Sequence, residues 1–226
     1  MPAIRALGAA ISISLCAAGG AFILSSCAGK KIDENDPKAL YEDALEDVED
    51  ARYLMALDKL KVVKSKFSYS TYGALSQLKV GDVYFLQESY PEAAAAYESF
   101  VELYPRHEKA PYALFRSGEA YFKDIPSNLA RDLRSAESAI TTLGQYLRRY
   151  PQGEYGERAL EMKKSGYDTL ARKELEIAEF YLRQEKPGSA RPRLEKVLKL
   201  YGESEAAAKA TKLFENLGNA PSEESP

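Results

Sequence analysis

Four times along this chain, small, aromatic and aliphatic residues return at the same unequal steps. Gly81, Tyr84, Ala93, Tyr97, Phe100 and Pro105 are separated by 3, 9, 4, 3 and 5 positions. The same steps from Ala178 give Tyr181, Ala190, Leu194, Val197 and Gly202; from Ala44 they give Asp47, Ala56, Leu60, Val63 and Ser68. Another copy opens with Gly118 and Tyr121. After about nine extra residues it closes with Ala139, Leu143, Tyr146 and Pro151. Between these marks apolar residues recur at three and four positions, as on a helix with one buried face, and strand-type alternation is absent. Asp36-Pro37 is a helix start, with Asp as N-cap and Pro at the first helical position. Turn residues gather in SYPE (89–92), YPRHEKAP (104–111), RYPQGEYG (149–156) and EKPGS (185–189). The chain from residue 37 to about 217 therefore reads as all-α, built from helix pairs.

The step pattern resembles the tetratricopeptide repeat, a helix pair of about 34 residues. A small residue on the first helix lets the second approach closely. The aromatic three positions later is expected to fill the gap above it, and the closing proline ends the returning helix. The expected fold is a tetratricopeptide-repeat-like α-solenoid with units at 37–68, 70–105, 108–151 and 155–202, a capping helix at 203–217 and a disordered tail at 218–226. An ordinary helical bundle is the competing architecture. Two irregularities stand out. The insertion at 124–137 lengthens the turn of the third unit. Residues 155–184 contain no proline, so they are expected to form one helix of roughly 30 residues, about 45 Å long. Pro192 is compatible with a helix that begins near Ser189, which would place it in the first turn.

The amino terminus has its own logic. Arg5 and the terminal amine supply positive charge, and Ala6 to Leu24 is then uncharged. That is the layout of a secretory signal, with a permanent membrane span as the alternative. The run is rich in Ala, Gly and Ser, and it ends in Leu24-Ser25-Ser26-Cys27. This stretch resembles the bacterial lipobox. The resemblance implies cleavage before Cys27, a diacylglycerol on its thiol and an acyl chain on the new amino group. Acyl burial contributes roughly 0.8 kcal/mol per CH₂, enough for several chains to anchor firmly. Residues 1–26 are then the signal peptide and 27–36 a lipidated tether. Cys16 leaves with the peptide. Ala28, where an aspartate would favour inner-membrane retention, leans toward the outer membrane. The polar stretch after it reaches at most about 30 Å, so the folded body stays near the membrane surface.

Composition narrows the chemistry. The only cysteines are Cys16 and Cys27 and the only histidine is His107. No disulfide, thiolate metal site or histidine-based triad can form downstream, and no metal or cofactor is expected. The acids show no spacing that picks out a catalytic pair, so the expectation is a non-enzyme. A net charge of −3 with no basic stripe argues against nucleic acid.

Taken together, a lipobox followed by such repeats resembles the BamD family of outer-membrane β-barrel assembly lipoproteins. The stretches that carry the resemblance are KFSYSTYGALSQLKVGDVYF (66–85), YESFVELYPRHEKAPYALFRSGEAYF (97–122) and LARKELEIAEFYLRQ (170–184), with Arg131-Asp132 in the insertion. The chain departs from the family at Ser68 and Gly202, where prolines are common. The resemblance implies a scaffold on the periplasmic face of the outer membrane. Its amino-terminal repeats would receive unfolded barrel precursors, and its carboxy-terminal repeats would dock on BamA alongside other subunits. Arg193 matches a family docking residue, with Arg191 beside it; the alternative for both is a solvated helix face. First-helix positions Leu75, Leu78, Asp82, Phe85, Tyr112, Phe115, Glu119 and Phe122 are candidates for a client groove, with stacked core as the alternative. A different class of function, an adaptor for cell-wall or division enzymes, would share the repeats without needing the long joining helix.

Overall fold

A computed structural model describes residues 32–219. The assignment of Leu24, Ser25, Ser26 and Cys27 to a lipobox lies outside these residues. The described residues form nine helices and no strand: α1 (Pro37–Glu49), α2 (Tyr53–Lys66), α3 (Thr71–Leu86), α4 (Tyr90–Leu103), α5 (Ala110–Lys123), α6 (Arg134–Arg149), α7 (Gly156–Arg183), α8 (Pro187–Leu200) and α9 (Glu205–Asn219). Each helix packs chiefly on its neighbours in the chain, as in a tetratricopeptide-like solenoid. Local sequence sets several starts. The Asp36 side chain accepts from the Lys38 N–H at 2.8 Å. Ser70 Oγ accepts from the Gly73 N–H at 3.0 Å and donates to the Phe67 carbonyl at 2.7 Å. Prolines occupy the first turn of α1, α4, α5 and α8, where an unbonded N–H is no loss.

The repeated steps mark the core. Ala44, Ala56, Leu60 and Val63 are fully buried, as are Ala93, Tyr97 and Phe100, then Ala139, Leu143 and Tyr146, then Ala178, Ala190, Leu194 and Val197. The opening glycines permit real close approach. A Cβ on Gly81 would lie 2.8 Å from the Tyr97 ring, and one on Gly118 would lie 2.6 Å from Leu143. The residue above the glycine is thus the fourth mark of the pattern, on the returning helix. Tyr84 and Tyr121, expected to fill that space, point elsewhere. Tyr84 packs between the cores of the first and second pairs, and Tyr121 between those of the second and third. An aromatic three residues along a helix lies on its neighbour's side, about 60° away, where the adjacent repeat stacks.

A second periodicity is conformational. Ala51, Glu88 and Glu185 have φ of 56°, 58° and 56°, and each sits seven positions after the opening small residue. In each case the helix ends in a Schellman turn. The N–H of Glu88 bonds to the Phe85 carbonyl and that of Ser89 to the Tyr84 carbonyl, and the pairs Ala51–Val48, Arg52–Asp47, Glu185–Leu182 and Lys186–Tyr181 repeat this. None of the three is glycine, so each residue carries left-handed strain. Glu88→Gly is therefore expected to stabilise the protein by about 0.5–1 kcal/mol, readable as a Tm rise of about 1–4 °C. An unchanged or lower Tm would show that its side chain makes a compensating contact.

The third pair lacks this turn because the insertion takes its place. Ile125, Leu129 and Leu133 fold into the core built by α6, α7, α8 and α9, and Lys173 Nζ on α7 donates to the Arg131 carbonyl at 2.9 Å. The insertion is therefore a bracket onto α7 rather than a longer turn alone. Residues 156–183 form the single long helix, about 42 Å from end to end. Two expectations need correction. Helix α8 starts at Pro187, which places Pro192 in its second turn and leaves the Gly188 carbonyl without an i+4 donor. Gly188 is exposed, so water can reach that end of the helix. Helix α9 also continues through Gly218 and Asn219, two residues past its expected end.

Candidate functional site

The client-groove candidates fall on α3 and α5, and the structure sorts them by depth. Leu78, Phe115 and Glu119 are buried, so they cannot line an open groove; Leu75, Asp82, Phe85, Tyr112 and Phe122 are half-buried. A stack of helices hides any residue that faces the next pair, whatever its polarity. What the structure builds from them is a polar–aromatic chain across three pairs. Asp82 accepts from the Tyr97 hydroxyl at 2.8 Å and the Tyr112 hydroxyl at 2.9 Å, and Lys79 pairs with it at 2.9 Å. Arg116 Nε donates to Tyr97 Oη at 3.3 Å, and its guanidinium lies 3.7 Å from the centre of the Phe85 ring. Glu119 then joins Arg116 and Arg158, each at 2.7 Å. Arg158 covers Phe115, which stacks on Tyr155 at 4.6 Å.

This chain is tightly held. Burial, then the Asp82 charge, pushes the Tyr97 and Tyr112 hydroxyls well above the usual tyrosine range. For Arg116, burial favours deprotonation, but the Tyr97 hydrogen bond and the Glu119 carboxylate outweigh it and hold its pKa above the usual arginine range. Tyr121 is pushed up to about 12 by burial and by Glu98, which it touches at 3.2 Å. Hydroxyls that remain protonated serve as fixed donors. They are structural ties, and no nucleophile or acid–base pair emerges from them. Sequence reasoning missed Tyr97 and Arg158 as partners because they come from other helices, whereas Lys79 and Arg116 stand three positions from Asp82 and Glu119 on the same helices, a spacing that could have found them.

The docking candidates lie on α8. Arg193 Nη1 donates to Glu174 Oε2 at 2.9 Å, and Lys196 Nζ reaches Glu174 Oε1 at 2.5 Å. Glu174 is buried on α7, while 42% of the Arg193 side chain is exposed. Arg191 is turned toward α9: its guanidinium lies 5.1 Å from the Phe214 ring centre, and Nη2 donates to the Leu217 carbonyl at 3.4 Å. Both arginines therefore have intramolecular partners that position them, and Glu174 neutralises Arg193 in part. His107 is half-buried against Phe100 and caps the Lys109 N–H through Nδ1.

Two buried carboxylates make stability pH-dependent. For Glu174, burial pushes the pKa up, but hydrogen bonds from Lys196 and Arg193 outweigh burial and hold it below 4.5. For Asp47, burial is likewise outweighed by Lys59 and Arg52, which hold it below 3.8. A carboxylate with a lowered folded pKa stabilises the fold fully above its unfolded value. That contribution disappears as pH falls through the folded value. Stability by urea titration is expected to be flat in these groups' contribution from pH 7 to about 5 and to fall below that. Glu174→Gln should shallow the acid slope; an identical slope would mean that Glu174 is not linked to folding.

Among the described residues no cluster of His, Cys, Asp and Glu is placed to hold a metal ion, and no helix is long and apolar enough to cross a membrane. Comparison with known proteins adds the following. The family model for YfiO, an outer membrane lipoprotein, matches residues 33–221, which takes in every helix described. Over 186 residues the chain is 27% identical to outer membrane protein assembly factor BamD of Vibrio cholerae, covering 78% of this chain and 77% of that protein. It is 28% identical to BamD of Caulobacter vibrioides over 178 residues, 76% of this chain and 58% of that protein. It is 25% identical to BamD of Neisseria gonorrhoeae over 195 residues, 79% of this chain and 73% of that protein.

Proposed function

Because this chain belongs to the YfiO (BamD) family of outer membrane lipoproteins, we propose that it is a non-catalytic scaffold of outer-membrane protein assembly, lipidated on Cys27 and held at the periplasmic face of the outer membrane. The observation that carries this reading is the family match across the whole helical array rather than across one repeat. Generic repeats would match piecemeal. The amino-terminal pairs α1–α4 receive unfolded barrel precursors, and α7–α8 docks on a BamA-like barrel protein.

Arg193 is the docking residue this reading favours, with Arg191 next to it. Only one of its five N–H donors is spent on Glu174, and the ion pair fixes the fork in one orientation. A pre-oriented guanidinium can take a partner carboxylate through two parallel hydrogen bonds with little further ordering.

Affinity purification of the tagged mature protein from membranes in mild detergent tests the assignment. A BamA-like barrel protein is expected to co-purify, and its absence would sink the proposal. Arg193→Gln is expected to reduce that co-purification at unchanged helicity; undiminished recovery would discard Arg193 as the docking residue. Cys27→Ser is expected to move the protein from the membrane fraction to the soluble one, whereas an uncleaved, membrane-integrated chain would favour the spanning alternative.

A further inference from the structure

A concave surface lies away from both the tyrosine chain and Arg193. It is a cleft of roughly 720 Å³ between the first turns of α7 and the end of α8 with the turn that follows. Leu160, Lys163, Lys164 and Tyr167 occupy one helix face at three- and four-residue spacing on its α7 wall; Leu200, Lys199 and Tyr201 stand on the other. Leu160 and Leu200 are 59% and 54% exposed, large apolar side chains left in water on both lips of one cleft. The cleft also gathers cations, Lys163 and Lys164 on its α7 wall and Lys199 on its α8 wall. None of Lys163, Lys164 and Lys199 forms an ion pair with a carboxylate among the described residues. The cleft does contain two acids. Asp168 is engaged by the Glu205 N–H at 3.2 Å at the head of α9, and Glu203 is exposed on the turn.

We propose that this cleft is a docking site for an acidic, leucine-type segment of a partner protein, its apolar side chains seated between Leu160 and Leu200 and its carboxylates met by Lys163, Lys164 and Lys199. Charge complementarity selects the partner's sign. Three lysines against two acids leave the lining net positive, which disfavours a basic chain and draws an acidic one to the exposed leucines. Shape selects a polypeptide over a bilayer, because a concave cleft receives a protruding segment while a planar lipid surface spans its lips without entering. Large, exposed apolar residues rimmed by charge are what a recognition surface leaves in water. The inference rests on the cleft and is independent of the docking role assigned to Arg193.

The test uses the mature lipidated protein in mild detergent and two fluorescein-labelled synthetic peptides, one alternating glutamate with leucine and one alternating glutamine with leucine. Fluorescence anisotropy is expected to show the glutamate peptide binding at least about tenfold more tightly. Lys163→Glu with Lys199→Glu should remove that preference at unchanged circular dichroism, and Leu160→Ser with Leu200→Ser should weaken both peptides. Equal binding of the two peptides, or indifference to the lysine changes, would overturn the proposal. So would lysine-dependent binding of phosphatidylglycerol vesicles without peptide binding, which would make the site a lipid contact. A change confined to self-association by sedimentation would overturn it in favour of a second copy as occupant.

Discussion

Tyr97→Ala is expected to cost about 4 kcal/mol and to lower Tm by about 10 °C. The ring is fully buried in the core between the second and third pairs and lies directly over Gly81. Its hydroxyl donates to Asp82 and accepts from Arg116, so truncation removes core volume and unties α4 from both α3 and α5. Tyr97→Phe keeps the volume and should cost about 1–2 kcal/mol, the share of the hydroxyl. Gly81 supplies an internal check. A methyl there would press on the Tyr97 ring at 2.8 Å, so Gly81→Ala should destabilise the wild type by about 1–3 kcal/mol. In a Tyr97→Ala background the methyl enters the cavity and the same change should be close to neutral. Additive losses in this double-mutant cycle, measured by urea denaturation, would show that the glycine is needed for something other than the ring.

Glu119→Ala is the second large effect, expected at about 3 kcal/mol. Glu119 is 4% exposed, and its carboxylate holds two arginines from different helices, Arg116 on α5 and Arg158 on α7. Its loss leaves Arg116, itself only 20% exposed, charged between Phe85 and Tyr97 without its counter-ion. Replacing one member of a buried pair is costlier than replacing both, so Glu119→Leu with Arg116→Met should recover part of the loss. The experiment also separates two roles for a residue that its helix position makes a candidate groove lining. A lining residue would change client binding at constant Tm. Glu119 is expected to do the reverse.

Particular residues show how much of this could be read in the sequence. The marks Ala56, Leu60 and Val63, and their equivalents in the other pairs, are all fully buried because a helix pair buries its inner face at fixed local spacings. The long joining helix was legible from the lack of proline in residues 155–184. The groove was not. Leu78 and Phe115 are apolar at helical spacing whether they face a client or the next repeat, and spacing does not distinguish the two. Asp47 was legible only as a departure where other copies carry tyrosine; the structure shows it buried between Lys59 and Arg52. The left-handed turns at Ala51, Glu88 and Glu185 gave no signal, since none is glycine.

By itself the sequence determined the all-α class, the repeat register and the positions that must be buried. Those depend on interactions within one helix pair, where neighbours lie a few residues apart and the helical period dictates who faces whom. Only the tertiary structure decided which side chains of different pairs meet. Tyr112 reaches Asp82 across 30 positions, and Arg158 reaches Glu119 across 39. It also turned Arg193 onto Glu174 and left Leu160 and Leu200 in water across one cleft. Such meetings depend on the angle and offset at which one pair stacks on the next. Those are set by the summed packing of many side chains, and no single spacing encodes them.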